Sequence, residues 1–396
     1  MTPLIRSYFK KGLPFLLIFI TFKRCQQKLI MEKSNTRLLS VDILRGLTII
    51  FMIIVNSPGS WDHVYAPLLH ADWNGLTPTD YIFPIFIFIV GVSLVLSITN
   101  QREKGMRREQ LVKKIVWRSM KIYLIGLFLW LWPSFDFGRI RWVGVLPRIA
   151  LVFLVCSLLF LYAKRKTQLI ITAVILILYV LIVQYLPVPG IGMPDLSEPG
   201  KNWANYIDDN FLPGYKWKKT WDPEGILSSF PAIVTGILGM MAGYVLVSKS
   251  AIKDKLLKLF IMTATLFILG DFSQYLMPIN KSLWSSSFTL MTGGISCLLL
   301  AFFVYWIDIR GQSVRFNFPR IFGVNAIFAY TLAGLLYTVF YSEKLWGISL
   351  SATFMEQAIA YGVAPKLASL SYALFYVIVI WTPTYLLYKR KIFIKL

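Results

Sequence analysis

The sequence predicts an all-α polytopic membrane protein of about ten transmembrane helices with both termini cytoplasmic, and three observations carry that prediction. Hydrophobic residues make up 57% of the 396-residue chain and charged residues only 15%, with a mean hydropathy of +0.63, far more apolar than a soluble domain. The apolar residues are gathered in blocks long enough to cross a hydrocarbon core of roughly 30 Å. The basic residues, which give a formal net charge of +22, lie mainly in the short segments between those blocks. In a soluble chain such a charge would suggest nucleic acid; between spans it reads as a topology signal, and the expected partner is the lipid bilayer, with no nucleic acid.

Windows of about 19 residues place the spans at 40–56, 81–98, 117–132, 144–163, 168–186, 226–247, 259–277, 288–307, 321–340 and 367–388. Orientation follows from lysine and arginine. The segment 99–121 holds eight of them, 164–166 reads KRK, 248–258 holds four lysines, and the tail reads KRKIFIKL. These alternate with less basic connectors, which puts both termini on the cytoplasmic side. The connector 57–80, with no lysine or arginine, then lies outside, as do 187–225 and 341–366. The middle one is rich in proline, glycine and Asx and is expected to be an ordered loop without a domain of its own.

Residues 1–30 combine a short apolar run, 13–22, with flanking basic residues, and no small-residue cleavage site follows. They are expected to be an extension or a weak anchor, with Met31 as the start and 31–396 forming a single transmembrane domain. Cys25, Cys156 and Cys297 show neither paired nor zinc-type spacing, so no disulfide framework and no metal site is expected. No Walker or GxGxxG motif occurs, which argues against a pump driven by its own ATPase.

Both histidines of the chain, His63 and His70, fall in the 57–80 connector. An imidazole titrates near neutrality, so it can take a proton from an attacking nucleophile or itself attack an activated acyl group. Asp80 follows at the start of the second span, where a carboxylate is stabilised and could hold the ring in one tautomer. Asn56, ending the first span, can offer an amide to a developing oxyanion. The same residues also admit a structural reading, with Asp80 as a helix cap, Asn56 as a helix end and His70 as an interfacial side chain; at this point both stay open.

Ionisable residues near or within spans are a second clue, because their burial is costly. Asp42 and Arg45, three apart, are expected to pair. Arg148 lies inside the fourth block with no neighbour in sequence to neutralise it, which favours a functional role; Asp271 enters the seventh span after Gly270. By the assigned topology ten of the thirteen tryptophans fall on the external side, Trp73 among them, and indole faces suit the apolar faces of a sugar as well as the membrane interface.

Six segments then carry a resemblance. In order, RLLSVDILRGLTIIFMIIVN, HADWNGLTPTDYIFPIFIFIVG, GVLPRIALVF, WDPEGILSSFPAIVTGILG, PINKSLWSSSFTLMTGG and FGVNAIFAY resemble the blocks of the heparan-alpha-glucosaminide N-acetyltransferase family and its bacterial relatives, from residue 37 to about residue 335. The resemblance implies transfer of an acetyl group from cytoplasmic acetyl-CoA to the amine of a glucosamine-type sugar or glycan across the membrane. It implies His70 as the active-site histidine, Asn56 and Asp80 as polar residues around it, and Arg148, Asp222 and Glu224 as lining the substrate site; Trp73 joins the substrate-binding candidates on its external position. His63 matches no family position. Two departures stand out: the large lumenal domain of the animal enzymes is not found, and Pro147 replaces an expected glutamine.

Acetyl-CoA enters as a co-substrate rather than a bound cofactor. Its anionic end needs cytoplasmic cations, and Arg45 is the candidate among Arg45, Arg118, Lys121 and Arg320. His70 acts either as general base in a ternary complex, the favoured route, or as an acetylated intermediate. O-acetylation of an envelope polysaccharide and transport of sugars or lipid-linked sugars are the alternative functions. The expected location is a bacterial inner membrane with the active face toward the periplasm; a homodimer is an open expectation.

Overall fold

Backbone N–H and C=O groups in hydrocarbon find no water, and a helix satisfies them internally, so the apolar blocks fold as helices. The computed structural model describes residues 38–343 and 347–394; the expected extension 1–30 and Met31 lie outside the described residues. In chain order the helices are α1 (Leu39–Asn56), α2 (Ile82–Glu103), α3 (Arg108–Leu131), α4 (Val145–Tyr162), α5 (Arg165–Val180), α6 (Trp203–Phe211), α7 (Ser229–Val247), α8 (Ile252–Gln274), α9 (Ser286–Phe303), α10 (Asn317–Val324), α11 (Ala326–Tyr341), α12 (Leu350–Ala360) and α13 (Pro365–Lys389). Among the described residues there is no strand, only isolated bridges.

Among the described residues eight helical stretches are long and apolar enough to cross a membrane, nine if α10 and α11, bent by 69° at their junction, form one broken span. All ten expected spans fall on helices, and the difference from the expected count lies in α3. It carries Arg108, Lys113, Lys114, Arg118 and Lys121, which leaves it too polar to qualify by composition. The expected span 321–340 is not one straight helix. It breaks at Asn325, whose amide donates to the Ile392 carbonyl at 3.1 Å and whose carbonyl accepts from the Ile394 N–H at 2.9 Å.

Burial separates the central helices from the peripheral ones. In α7, 72% of the apolar stretch is buried inside the protein, against 22% in α5 and α8. Helix α7 crosses α2 at backbone contact: a Cβ on Gly91 would lie 2.1 Å from the Gly236 carbonyl oxygen, and one on Gly239 would lie 2.0 Å from that of Phe88. Small residues at a crossing let dispersion act over two backbones, which in lipid replaces the missing hydrophobic drive between helices. Around this crossing Phe83, Ile87, Ile149, Phe153, Ile237, Trp284 and Phe288 form the main core. A second core, with Ile49, Ile53, Phe322, Tyr376 and Ile380, packs α1 against α10 and α13.

The 57–80 connector forms short 3-10 turns at Ala66–Leu68 and Pro78–Tyr81, and the segment 187–225 contains α6, started by the Asn202 side chain accepting from the Asn205 N–H.

Candidate active site

Thr77 and Asp80 close a capping box at the turn that leads into α2: the Asp80 side chain accepts from the Thr77 N–H while the Thr77 side chain faces the Asp80 backbone. The carboxylate is fully buried and surrounded by donors. Its Oδ2 accepts from the N–H groups of Ala71 at 3.1 Å and Thr77 at 3.0 Å and from the Thr77 hydroxyl at 2.9 Å. Its Oδ1 lies 2.7 Å from Nδ1 of His70. Three donors on one oxygen favour the ionised acid. The remaining oxygen therefore takes the Nδ1–H of His70, and Nε2 carries the lone pair. The capping role and the orienting role expected as alternatives thus coexist in one carboxylate.

The sequence shows no cation near His70, because the connector 57–80 has none; the fold supplies one from 211 positions away. Asn74 and Asn280 form an antiparallel bridge, the Asn280 amide donates to Asn74 Oδ1 at 3.0 Å, and the Gly75 N–H donates to the Ile279 carbonyl at 2.8 Å. Asn280 is itself knotted to the start of α9, its N–H donating to the Ser285 hydroxyl and its Oδ1 accepting from the Leu283 N–H. This staple brings Lys281 Nζ to 2.8 Å from Nδ1 and 3.1 Å from Nε2 of His70, and to 3.5 Å from Asp80 Oδ1. Burial pulls the ammonium below the ordinary lysine range, while the carboxylates of Asp80 and Glu224 act in the opposite sense.

Asp222 and Glu224 are drawn to an arginine that the sequence did not single out. Arg141 grips Asp222 with two bonds, Nε to Oδ2 at 2.7 Å and Nη2 to Oδ1 at 2.6 Å, and reaches Glu224 Oε2 at 2.6 Å. Burial opposes its charge, but the two carboxylates outweigh it and hold the guanidinium above the usual arginine value. Trp130 and Trp217 flank this guanidinium, their ring centroids 5.6 and 5.3 Å from Cζ. Asp208 of α6 fixes the same loop, its carboxylate accepting from the N–H groups of Asp222 at 3.2 Å and Ile226 at 2.9 Å. Burial raises that carboxyl to about 6.

Arg148, which no sequence neighbour neutralises, holds the other end of this loop. It is 2% exposed, lies over the Trp284 ring at 5.1 Å, and donates through Nη2 to the Gly225 carbonyl at 3.2 Å and the Ser228 hydroxyl at 2.5 Å. Two arginines thus bracket 222–228, and Glu224, 13% exposed, adds its negative field at Lys281.

The other expected residues sit differently. Trp73 donates to the Leu196 carbonyl at 3.0 Å and meets Trp221 edge-on at 5.5 Å, so it anchors the 57–80 connector to the 187–225 segment. Asn56 is exposed at the end of α1, and no hydrogen bond joins it to His70 or Asp80. His63 lines a shallow cleft with Tyr65, Leu68, Lys366 and Ser369. Arg45 forms the expected pair with Asp42 at 3.0 Å and donates also to the Gly323 carbonyl at 3.0 Å and the Ser93 hydroxyl at 2.5 Å. Ser93 lies thirteen residues beyond Asp80, about 20 Å along the axis, so Arg45 and His70 mark separate levels of the bundle. Asp271 is exposed on α8 and bonded only locally, to Gln274.

Fold and site together define a polytopic helical membrane protein with a histidine–aspartate pair, met by a lysine, where its helices end. The family profile of the heparan-alpha-glucosaminide N-acetyltransferase catalytic region matches residues 37–273, more than half of the chain, and the chain belongs to that family. It is 31% identical over 355 residues to heparan-alpha-glucosaminide N-acetyltransferase of Homo sapiens, covering 74% of this chain and 52% of that protein. To the Mus musculus protein of the same name it is 29% identical over 425 aligned positions, 92% of this chain and 61% of that one. The chain thus spans between 52% and 61% of the length of these curated relatives.

Proposed function

We propose that the protein moves the acetyl group of acetyl-CoA from the cytoplasmic end of the bundle to the amine of a glucosamine-type sugar at the opposite face, which in a bacterial inner membrane is the periplasmic face. The observation that carries this reading is the His70–Asp80 pair, with Nδ1 committed to a buried carboxylate and Nε2 available as a base.

In the proposed reaction the acceptor amine attacks the thioester carbonyl while His70 Nε2 takes its proton. The tetrahedral adduct collapses, the C–S bond breaks, and the imidazolium returns the proton to the departing thiolate, leaving an amide and free CoA. Asp80 stabilises the transient imidazolium through Nδ1–H and keeps the ring in the reactive tautomer. Glu224 receives a sugar hydroxyl or the incoming ammonium, a role supported by its partial exposure and by Arg141, Asp222 and Arg148 holding its loop. Trp217, 54% exposed beside Arg141, offers a ring face to a sugar, and Trp73 orients the connector that carries His70. Exposed Asn56 supplies a further amide donor at this level.

The CoA end falls to Arg45. Arg118 of α3 lies within its electrostatic field, and two neighbouring cations attract an anionic group. Arg45 precedes Asn56 by eleven residues, about 16 Å of helix, a span that the extended pantetheine arm bridges without crossing the whole ~30 Å core. The test offers radiolabelled acetyl-CoA with glucosamine, chitosan oligomers or de-N-sulfated heparan fragments to purified protein in nanodiscs. Label is expected on the amine for the wild type and not for His70→Ala; no transfer to any glycan would favour a transport role.

A further inference from the structure

Lys281 belongs to none of the roles assigned so far, yet among the described residues it is the cation within hydrogen-bond reach of His70. Its main chain is fixed by the Asn74–Asn280 bridge, and its side chain is only 21% exposed. Asp80 takes the Nδ1–H, and the Lys281 ammonium lies beside the ring, 2.8 Å from Nδ1 and 3.1 Å from Nε2, which leaves the outward lone pair of Nε2 to a reacting nitrogen. The charged groups around it are Asp80, at 3.5 Å, and Glu224, both of which attract the ammonium toward the site.

We propose that Lys281 is a catalytic residue of the acetyl transfer, the cation that meets the oxyanion of the tetrahedral adduct; this rests on the proposed function above. When the acceptor nitrogen takes its place on the Nε2 lone pair, the ammonium stays beside the ring, held by the Asp80 carboxylate at 3.5 Å. The acyl carbon then bonds to a nitrogen that is itself hydrogen-bonded to Nε2, which puts the acyl oxygen within reach of a donor 3.1 Å from that same ring nitrogen. As the C–N bond forms, the carbonyl π pair moves onto that oxygen and Lys281 Nζ donates to it. When the C–S bond breaks the pair returns, the ammonium keeps its proton, and the thiolate is protonated by His70. A preorganised charge aimed at an oxygen that becomes anionic only in the transition state acts on kcat rather than on ground-state binding.

A lysine that served only as a counter-ion to Asp80 would behave differently. Asp80 has three other donors on Oδ2, so a neutral side chain at 281 would leave the carboxylate in place and kcat nearly unchanged.

The experiment compares wild type, Lys281→Met, Lys281→Gln, Lys281→Arg and His70→Ala as full chains in nanodiscs, with acetyl-CoA and glucosamine. The expected result is a fall in kcat of about 100-fold for Lys281→Met with both KM values within about threefold, and recovery of about a tenth of kcat or more in Lys281→Arg. A kcat for Lys281→Met within about fivefold of wild type, or a loss confined to KM, overturns the proposal. If Lys281→Met does not survive purification, the Arg and Gln variants decide: at equal melting temperature, the Arg variant exceeding the Gln variant by about tenfold supports the oxyanion role, and equal activity overturns it. Full activity of His70→Ala would overturn the acetyl-transfer reading and this role together, whereas an inactive His70→Ala beside an active Lys281→Met overturns this role alone.

Discussion

Replacing Asp80 by asparagine probes the site most sharply, because the carboxylate answers four donors with two oxygens. Oδ2 serves the N–H groups of Ala71 and Thr77 and the Thr77 hydroxyl, and Oδ1 serves His70. An asparagine can satisfy the three donors only by turning its carbonyl toward them, which aims its NH2 at His70 Nδ1. The imidazole then accepts at Nδ1 and carries its proton on Nε2, the tautomer that cannot act as base. General-base catalysis is worth about 10²–10⁴-fold, so kcat should fall by that factor, about 3–5 kcal/mol of barrier. The assay is acetyl transfer from labelled acetyl-CoA to glucosamine in nanodiscs, with melting temperature measured alongside. Retention of kcat within about threefold in a folded Asp80→Asn protein would refute the tautomer reasoning.

Arg141→Met should strand the fully buried Asp222 and destabilise the outer loops by about 3–5 kcal/mol, seen as a lower melting temperature; an unchanged melting temperature contradicts the clamp. Asp208 makes a pH prediction with a definite sign. Burial lifts its carboxyl from 3.8 to about 6, so the native protein takes up a proton before the unfolded chain does, and stability from this group should rise as pH falls from about 7 to below 3.8. The full effect is about 3 kcal/mol, and Asp208→Asn should abolish that slope in pH-dependent melting curves. Trp217→Ala should raise KM for the sugar about tenfold with little change in kcat, checked by steady-state kinetics.

Much of this molecule was legible from its residues. Hydropathy blocks fixed where helices form, and the three-residue spacing of Asp42 and Arg45 gave their pair, because both depend on neighbours along one helix. The His70–Asp80 bond was legible because its partners are close in sequence, ten positions apart in one short connector. What stayed hidden depends on long closures. Lys281 reaches His70 only through the Asn74–Asn280 staple, and Arg141 reaches Asp222 across 81 positions, while Arg148 lies within the same bundle end and drew attention for its isolation instead. The bend at Asn325 was equally invisible, since an apolar block reads as continuous until a buried amide claims the C-terminal segment. In α3 the reverse occurred: the block 117–132 suggested a span, and the helix extends back to Arg108 through three more basic residues, Arg108, Lys113 and Lys114.

The most direct test is transfer of labelled acetyl from acetyl-CoA to glucosamine by the wild-type protein and by His70→Ala, both purified and shown to be folded in nanodiscs. The expected result is N-acetylated sugar with the wild type and loss of product by at least about 10²-fold with His70→Ala. Equal product from the two proteins, or none from the wild type with any amino sugar offered, would contradict the assignment of His70 as the base of an acetyl-transfer site.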